Sequence, residues 1–493
     1  MKLISKIISI LLIAVFLFSA TACSDTMDAY IYFELPYLPE TLDPQTASTD
    51  AELLIIRNIH EGLLRKNSKG EIVGGIAEDF QKNGLTYTFT LRSNAKWSNG
   101  DKITADDFVF ALRRAVSPET KAPFVSRLYS ITGALDINNG KANVESLGVK
   151  ALDKKTLSIT LNKEDPLFLE TLTTSIAMPC NEKFFYETAG KYGLFADSIL
   201  SSGSYRLTRW RKETFGIRLY KNEGYKGFAK AQNSAVFITC NNDETPLQKL
   251  QRNSIDMAFI DSASTLEAEN SSLKTESFQN ICWILTLGKD FTPNMRKALA
   301  MMVGGNVYSN SLPTSYSVAT SLFPEAISQN TSPTGITAYN LPEAKKLYLK
   351  ELEKLEDKKF PSDVILYYYD DGNIKNVVTD IVGHWQSNIS AFINIESVSS
   401  STLLTSQLTD PSYKMSIFPI RADSTNLAEY LKIFGITYNG EPLAEIQTNL
   451  LKSNNIIPIM FQNTVLAYSP ALSSVYTELG NGYVDFAFIV KEE

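Results

Sequence analysis

The side chains that could carry a reaction are few, and their spacing suits none. The 493-residue chain has two histidines, His60 and His384. They stand far apart, each in an apolar stretch of helical character, which is no pattern for an imidazole metal site. Asp106-Asp107 and Asp370-Asp371 are adjacent carboxylates. Neighbours point to opposite faces of a strand and sit about 100° apart on a helix, so neither pair is a ready glycosidase dyad. No G-x-S-x-G elbow, P-loop, G-x-G-x-x-G or H-E-x-x-H occurs, and Gly304-Gly305 in MMVGGNVY lacks the third glycine. Cys180, Cys240 and Cys282 form no C-x-x-C pair; buried free thiols are expected. A hydrolase would have to assemble its carboxylates, or a Ser/His pair, from scattered positions.

The elements that would position a site are easier to read. In GLTYTFTLRSNAKWSNGDKITADDFVFALRR, Leu85, Tyr87, Phe89 and Leu91 alternate with threonines, the period of a half-buried strand. Asn99-Gly100-Asp101 is turn chemistry. Thr104 with Asp107 opens a capped helix that Ser117-Pro118 ends, and Trp97 plugs the junction. Leu157, Ile159 and Leu161 make another strand, and Asn340 with Glu343 another helix start. Residues 363–398 read strand, helix, strand, a βαβ unit that implies a parallel pair. The chain is therefore α/β. Residues 399–412 are the most linker-like stretch.

The bulk numbers bound the answer. Such a length exceeds one ordinary core, so two or three lobes are expected. With 44% hydrophobic and 20% charged residues the composition is globular, and a net charge of −7 argues against a nucleic-acid partner. At the N-terminus, MKLISK precedes the apolar run IISILLIAVFLF, too short for a comfortable membrane span, and then Ser19, Ala20, Thr21, Ala22 and Cys23. Small residues before a cysteine resemble a lipobox, with Ala20 in place of the usual leucine. The expectation is a signal peptide over 1–22 and a mature chain anchored by acyl chains on Cys23, outside the cytoplasmic membrane. An exported, tethered, motif-poor α/β protein of two lobes is what a binding receptor looks like.

The stretch from Tyr87 to Phe108 resembles the signature of the family 5 extracellular solute-binding proteins, the oligopeptide- and dipeptide-binding components of ABC importers. The matching residues are Tyr87, Phe89, Leu91, Arg92, Ala95, Trp97, Ser98, Gly100, Thr104, Ala105, Asp107 and Phe108. Thr41-Leu42-Asp43-Pro44, Glu61-Gly62-Leu63, Gly203-Ser204-Tyr205, Ser254 to Ala258, Arg296 to Leu299 and Gly482 to Phe486 resemble further family motifs in family order. The family's W-x-A-D-Y appears as Ile420 to Ser424, without its Trp and Tyr.

The resemblance implies a two-lobed periplasmic-binding-protein type II (cluster C) clamp with an extra small subdomain on lobe I. The expected layout is lobe I over 23–66, 191–279 and 463–493, the subdomain over 67–190, and lobe II over 280–462. It implies no enzyme activity, no cofactor and no metal. The implied partners are a short peptide, the transmembrane permease subunits and the membrane, with the chain a monomer. Asp423 would meet the peptide amine, Arg421 a ligand carboxylate, with Ser424 beside them. Tyr37, Leu38 and Pro39 would line the cleft, and Cys23 would carry the lipid. The rival reading is a degenerate family member that binds a non-peptide small ligand or serves as a sensor or interaction lipoprotein.

Overall fold

The computed structural model describes residues 29–492 apart from 212–215, 241–242, 262, 329–333, 371, 399–414, 423–426, 439–440 and 479–482. Cys23, Asp423, Ser424 and the linker-like stretch 399–412 lie outside the described residues.

In chain order the main elements are β1 (Tyr30–Glu34), α1 (Asp50–Ile59), β2 (Ala77–Asn83), β3 (Thr86–Leu91), α2 (Ala105–Val116), β4 (Val149–Ala151), β5 (Thr156–Thr160), β6 (Tyr205–Arg211), β7 (Gly216–Lys221), β8 (Ala235–Thr239), α3 (Pro246–Gln251) and β9 (Met257–Ile260). The second half adds β10 (Lys274–Leu287), α4 (Pro293–Ala300), α5 (Leu341–Leu352), β11 (Ile365–Tyr369), α6 (Lys375–Ile389), β12 (Asn394–Val398), β13 (Met415–Arg421) and β14 (Ile456–Tyr468). Ten of the strands form one continuous sheet in the order β12-β11-β13-β10-β14-β9-β1-β8-β7-β6. A separate four-stranded sheet runs β2-β3-β5-β4.

Three groups of buried side chains give the molecule its parts. Ile31, Phe33, Leu54, Ile55, Ile238, Leu466 and Phe486 pack α1 and the C-terminal segment onto the β1 end of the large sheet. Tyr87, Phe89, Trp97, Phe108, Leu157 and Ile159 pack α2 onto the small sheet. Around the β13 end, apolar side chains cover both faces of the sheet. Trp283, Leu285, Trp385 and Ile417 lie on one side, and Cys282, Ile284, Phe418 and Tyr430 on the other. A sheet covered twice explains why β13 reads as a nearly unbroken apolar run.

The long strands β10 and β14 pair antiparallel and pass from the first group into the third: Phe278 and Leu466 belong to one, Ile281 and Met460 to the other. At that passage the register slips between Gln279 and Ile281, and Asn280 is wholly buried. Such a bulge lets a strand bend without losing its ladder, and the two bodies meet there. The expected βαβ unit is present, with β11 and β12 parallel and in register from Ile365–Asn394 to Tyr369–Val398.

The capped helix is seen as expected, with one addition. Asp107 accepts from the Thr104 N–H at 2.7 Å and from the Trp97 indole at 3.4 Å, so the tryptophan is tied to the helix start. Asp107 is 6% exposed, and burial pushes its carboxyl up to about 6 despite those donors. The folded state therefore holds this proton more tightly than the unfolded chain, whose ordinary value is 3.8. This group's contribution to stability is fully present below pH 4 and is lost as pH rises to 6. Asp107→Asn should flatten that part of the curve. Urea midpoints of both proteins at pH 4, 5 and 6 check it, and a constant difference between them would contradict it.

Cys180, Cys240 and Cys282 are buried free thiols, as expected. His60 departs slightly from its expected place, capping the C-terminal end of α1 in extended conformation.

Candidate ligand cleft

The first wall of the site is the loop that follows β1. Leu35 prolongs the strand through a bond from its N–H to the Thr239 carbonyl at 2.8 Å. Glu34 is buried, and its carboxylate takes the Lys249 ammonium at 2.5 Å and the Thr239 hydroxyl at 2.9 Å. The chain then turns outward at Pro36 and Tyr37 and returns to α1. One buried carboxylate holds that return. Glu52 accepts from the N–H groups of Glu40 and Thr41 with one oxygen, and from those of Ser48 and Thr49 with the other, at 2.9–3.2 Å. Charge-assisted bonds of this kind are strong and short, so the loop is a rigid frame. Asp43 of the T-L-D-P stretch grips Arg114 of α2 with both oxygens, which ties the frame to the small sheet's body.

The second wall comes from β13. Its pairing with β11 ends at Ile417, so Pro419 sits where the missing N–H removes no bond on that side. Pairing with β10 continues to Arg421–Ile281, and the Ala422 N–H donates to the Asn280 carbonyl at 2.7 Å, directly at the bulge. The end of β13 is thus fixed at the junction of the two bodies.

There the walls meet. An Arg421 Nη lies 3.3 Å from an Asp50 Oδ, with the side chains 32% and 46% exposed. Tyr37 lies beside both. The N–H groups of Asp50 and Ala51, which open α1, face its phenol oxygen. Desolvation, and then the Asp50 charge, push the phenol up to about 12, against the lowering influence of Arg421. Tyr37 is 43% exposed. The structure therefore brings Tyr37 and Arg421 together. Leu38 instead packs against the first core, and Pro39 is buried, so both support the frame behind Tyr37. Sequence reasoning missed Asp50 and Glu52. Glu52 had a legible signal, since Thr49-x-x-Glu52 is a capping box that the structure contains.

Chemically the arrangement is suited to recognition. It offers a cation, a carboxylate and a phenol held by the N–H groups of a helix start, which suit a ligand carrying both charges. The ion pair is half exposed and contributes only about 0.5 kcal/mol. A double-mutant cycle with Asp50→Asn and Arg421→Gln should return a coupling of that size in urea unfolding without ligand. Coupling of the opposite sign would contradict the contact.

A pocket open to solvent lies at the other end of α1, between Arg57, His60, Glu61, Arg65, Tyr483 and Asp485. Arg65 there is bound to Glu61 at 3.1 Å and to Asp485 at 2.5 Å. Burial lowers His60 to about 3, so it stays neutral. Among the described residues no group of three or more His, Cys, Asp or Glu is placed to hold a metal.

The family model described as bacterial extracellular solute-binding proteins, family 5 Middle, matches residues 71–442. The chain belongs to that family. Among curated relatives, the family 5 chain is 34% identical over 275 residues to the oligopeptide-binding protein OppA of Bacillus subtilis, covering 53% of this chain and 50% of that one. It is 30% identical over 254 residues to a dipeptide-binding protein of Lactococcus lactis, covering 50% and 46%. The matched region thus spans about half the length of these relatives.

Solved structures match along nearly the whole chain. The Escherichia coli murein tripeptide binding protein MppA superposes with a TM-score of 0.76 at 21% identity, covering 95% of this chain and 99% of that one. Peptide-bound OppA of Listeria monocytogenes gives 0.77 at 21%, covering 95% and 100%. The fold of the family 5 chain is therefore the two-lobed α/β clamp. Asp50 and Arg421 pair where the end of β13 meets the start of α1.

Proposed function

We propose that this chain is the substrate-binding lipoprotein of an ABC importer, which encloses a short peptide between its lobes and hands it to a membrane permease. The observation that carries the reading is the meeting of Tyr37, Asp50 and Arg421 where β13 reaches the frame of the first lobe. The relatives bind oligopeptides and dipeptides, which supports a peptide as ligand. A peptide enclosed there loses water, so its charged ends need partners. Arg421 serves the carboxylate, and Asp423, two residues further on, serves the amine. Lobe closure would be the signal the permease reads, and acyl chains on Cys23 would keep the protein near it. The role is capture and release, with no bond made or broken. The missing Trp and Tyr around Asp423 favour, as the second reading, a non-peptide ligand or a sensor.

Deleting the gene should lower uptake of a radiolabelled tripeptide by the host, and the full chain should restore it. A Cys23→Ser chain should be lost from the membrane fraction and restore less. Unchanged uptake after deletion would overturn the transport role, whereas equal restoration by the Cys23→Ser chain would overturn only the anchor.

A further inference from the structure

One strip of the first lobe's sheet is made of arginines and aromatic rings. Ile31, Phe33, Leu207, Ile217, Leu219 and Ile238 point into the core, so their neighbours along β1, β6, β7 and β8 point the other way. The register lays these neighbours in two rows. One row is Arg209, Arg218, Phe237, Tyr32; the other is Arg206, Tyr220, Ala235, Tyr30. The rings form a single cluster around Phe237, with Tyr30 stacked at 5.2 Å, Tyr32 edge-on at 5.4 Å and Tyr220 at 6.1 Å between centroids. The Arg218 guanidinium lies 5.3 Å from the Phe237 centroid. α3 covers this face only further along, where Lys249 holds Glu34.

The strip has the charge pattern of a surface that awaits an anion. Arg209 and Arg218 stand directly opposite on antiparallel strands, an arrangement that repels. Among the described residues no carboxylate forms an ion pair with Arg206, Arg209 or Arg218. The nearby Asp256 is taken by Lys491 at 2.8 Å and by the Tyr32 N–H at 2.8 Å. Arg206 and Arg218 are exposed, and Tyr32 is 39% exposed.

We propose that this strip rests on the anionic headgroups of the membrane that holds the lipid anchor, an inference that depends on the anchor reading above. Aromatic rings among arginines are the composition of a membrane interface. The whole chain carries −7, so an anionic surface repels it on average and a basic strip sets the face that can approach. β1 supplies Tyr30 and Tyr32 to both rows and begins seven residues after Cys23, a tether of at most roughly 25 Å. An anchor on Cys23 would thus hold the start of this sheet within roughly 25 Å of the lipid surface.

The chain from Ser24 keeps every described residue and carries no lipid. At low salt it should sediment with phosphatidylglycerol vesicles and not with phosphatidylcholine vesicles, and 0.5 M salt should release it, since the Debye length shrinks to a few ångströms (~). Arg209→Gln with Arg218→Gln should weaken sedimentation about thirtyfold. Lys346→Gln with Lys350→Gln, on α5 of the other lobe, should behave as the parent, and thermal melts of all three should agree. Equal binding to both lipids, or a double arginine variant that sediments like the parent, would overturn the proposal. The anchor fails separately, if Cys23 isolated from host membranes carries no acyl mass.

Discussion

Glu61→Ala should lower the unfolding free energy by about 3–5 kcal/mol. Glu61 is 3% exposed and serves four partners. One oxygen accepts from Arg65 at 3.1 Å and from the Tyr225 hydroxyl, the other from Arg92 at 2.7 Å, and its N–H donates to the Ser202 hydroxyl at 3.0 Å. Burial alone would lower the Arg65 pKa, but Asp485 and Glu61 raise it well above its ordinary value. Removing Glu61 leaves Arg92 buried without its carboxylate and Arg65 with Asp485 alone. The loss also weakens the junction of three stretches: the turn after α1, the strand end at Arg92, and the C-terminal segment at Asp485. The exposed pair Lys82–Glu164, at 40% and 65%, is the contrast. Lys82→Ala should move the urea midpoint little, because water and salt screen an exposed pair. Urea unfolding of both variants separates the cases, and a Glu61→Ala loss below that of Lys82→Ala would contradict the network.

Asp423→Asn should weaken peptide binding tenfold or more, which corresponds to about 1.4 kcal/mol. Asp423 follows Ala422, whose N–H is fixed to Asn280 beside the bulge, and precedes no further described strand residue until the helix that begins at Leu427. Its carboxylate is the partner we assign to the peptide amine. The same logic predicts that N-acetylating the peptide costs the parent protein as much as the substitution does, and costs the variant little more. Calorimetric titration with free and acetylated forms of one peptide checks both. An unchanged affinity in Asp423→Asn would remove this residue from the site.

How much of this was legible depends on how local each feature is. The strand from Thr86 and the helix from Ala105 were readable because alternation, a turn at Gly100 and a cap at Thr104 lie within thirty residues or so. The βαβ unit around α6 was readable for the same reason. Tyr37 and Arg421 were reached through the family resemblance, since nothing local marks either. Asp50 looked like any acid in a first helical turn, and its contact with Arg421 depends on a strand about 370 residues away. Glu61 matched a motif, yet its reason for being there needed Arg92, Tyr225 and Asp485 brought together by the fold. The passage of β10 and β14 between the lobes was likewise invisible, because their pairing joins segments far apart in the chain.

If the clamp carries peptides, native mass spectrometry of the protein purified from its own host without refolding should show a ladder of adducts that fragment as short peptides, which would also give their length. A bare mass that stays bare after incubation with a pooled peptide library would contradict that role.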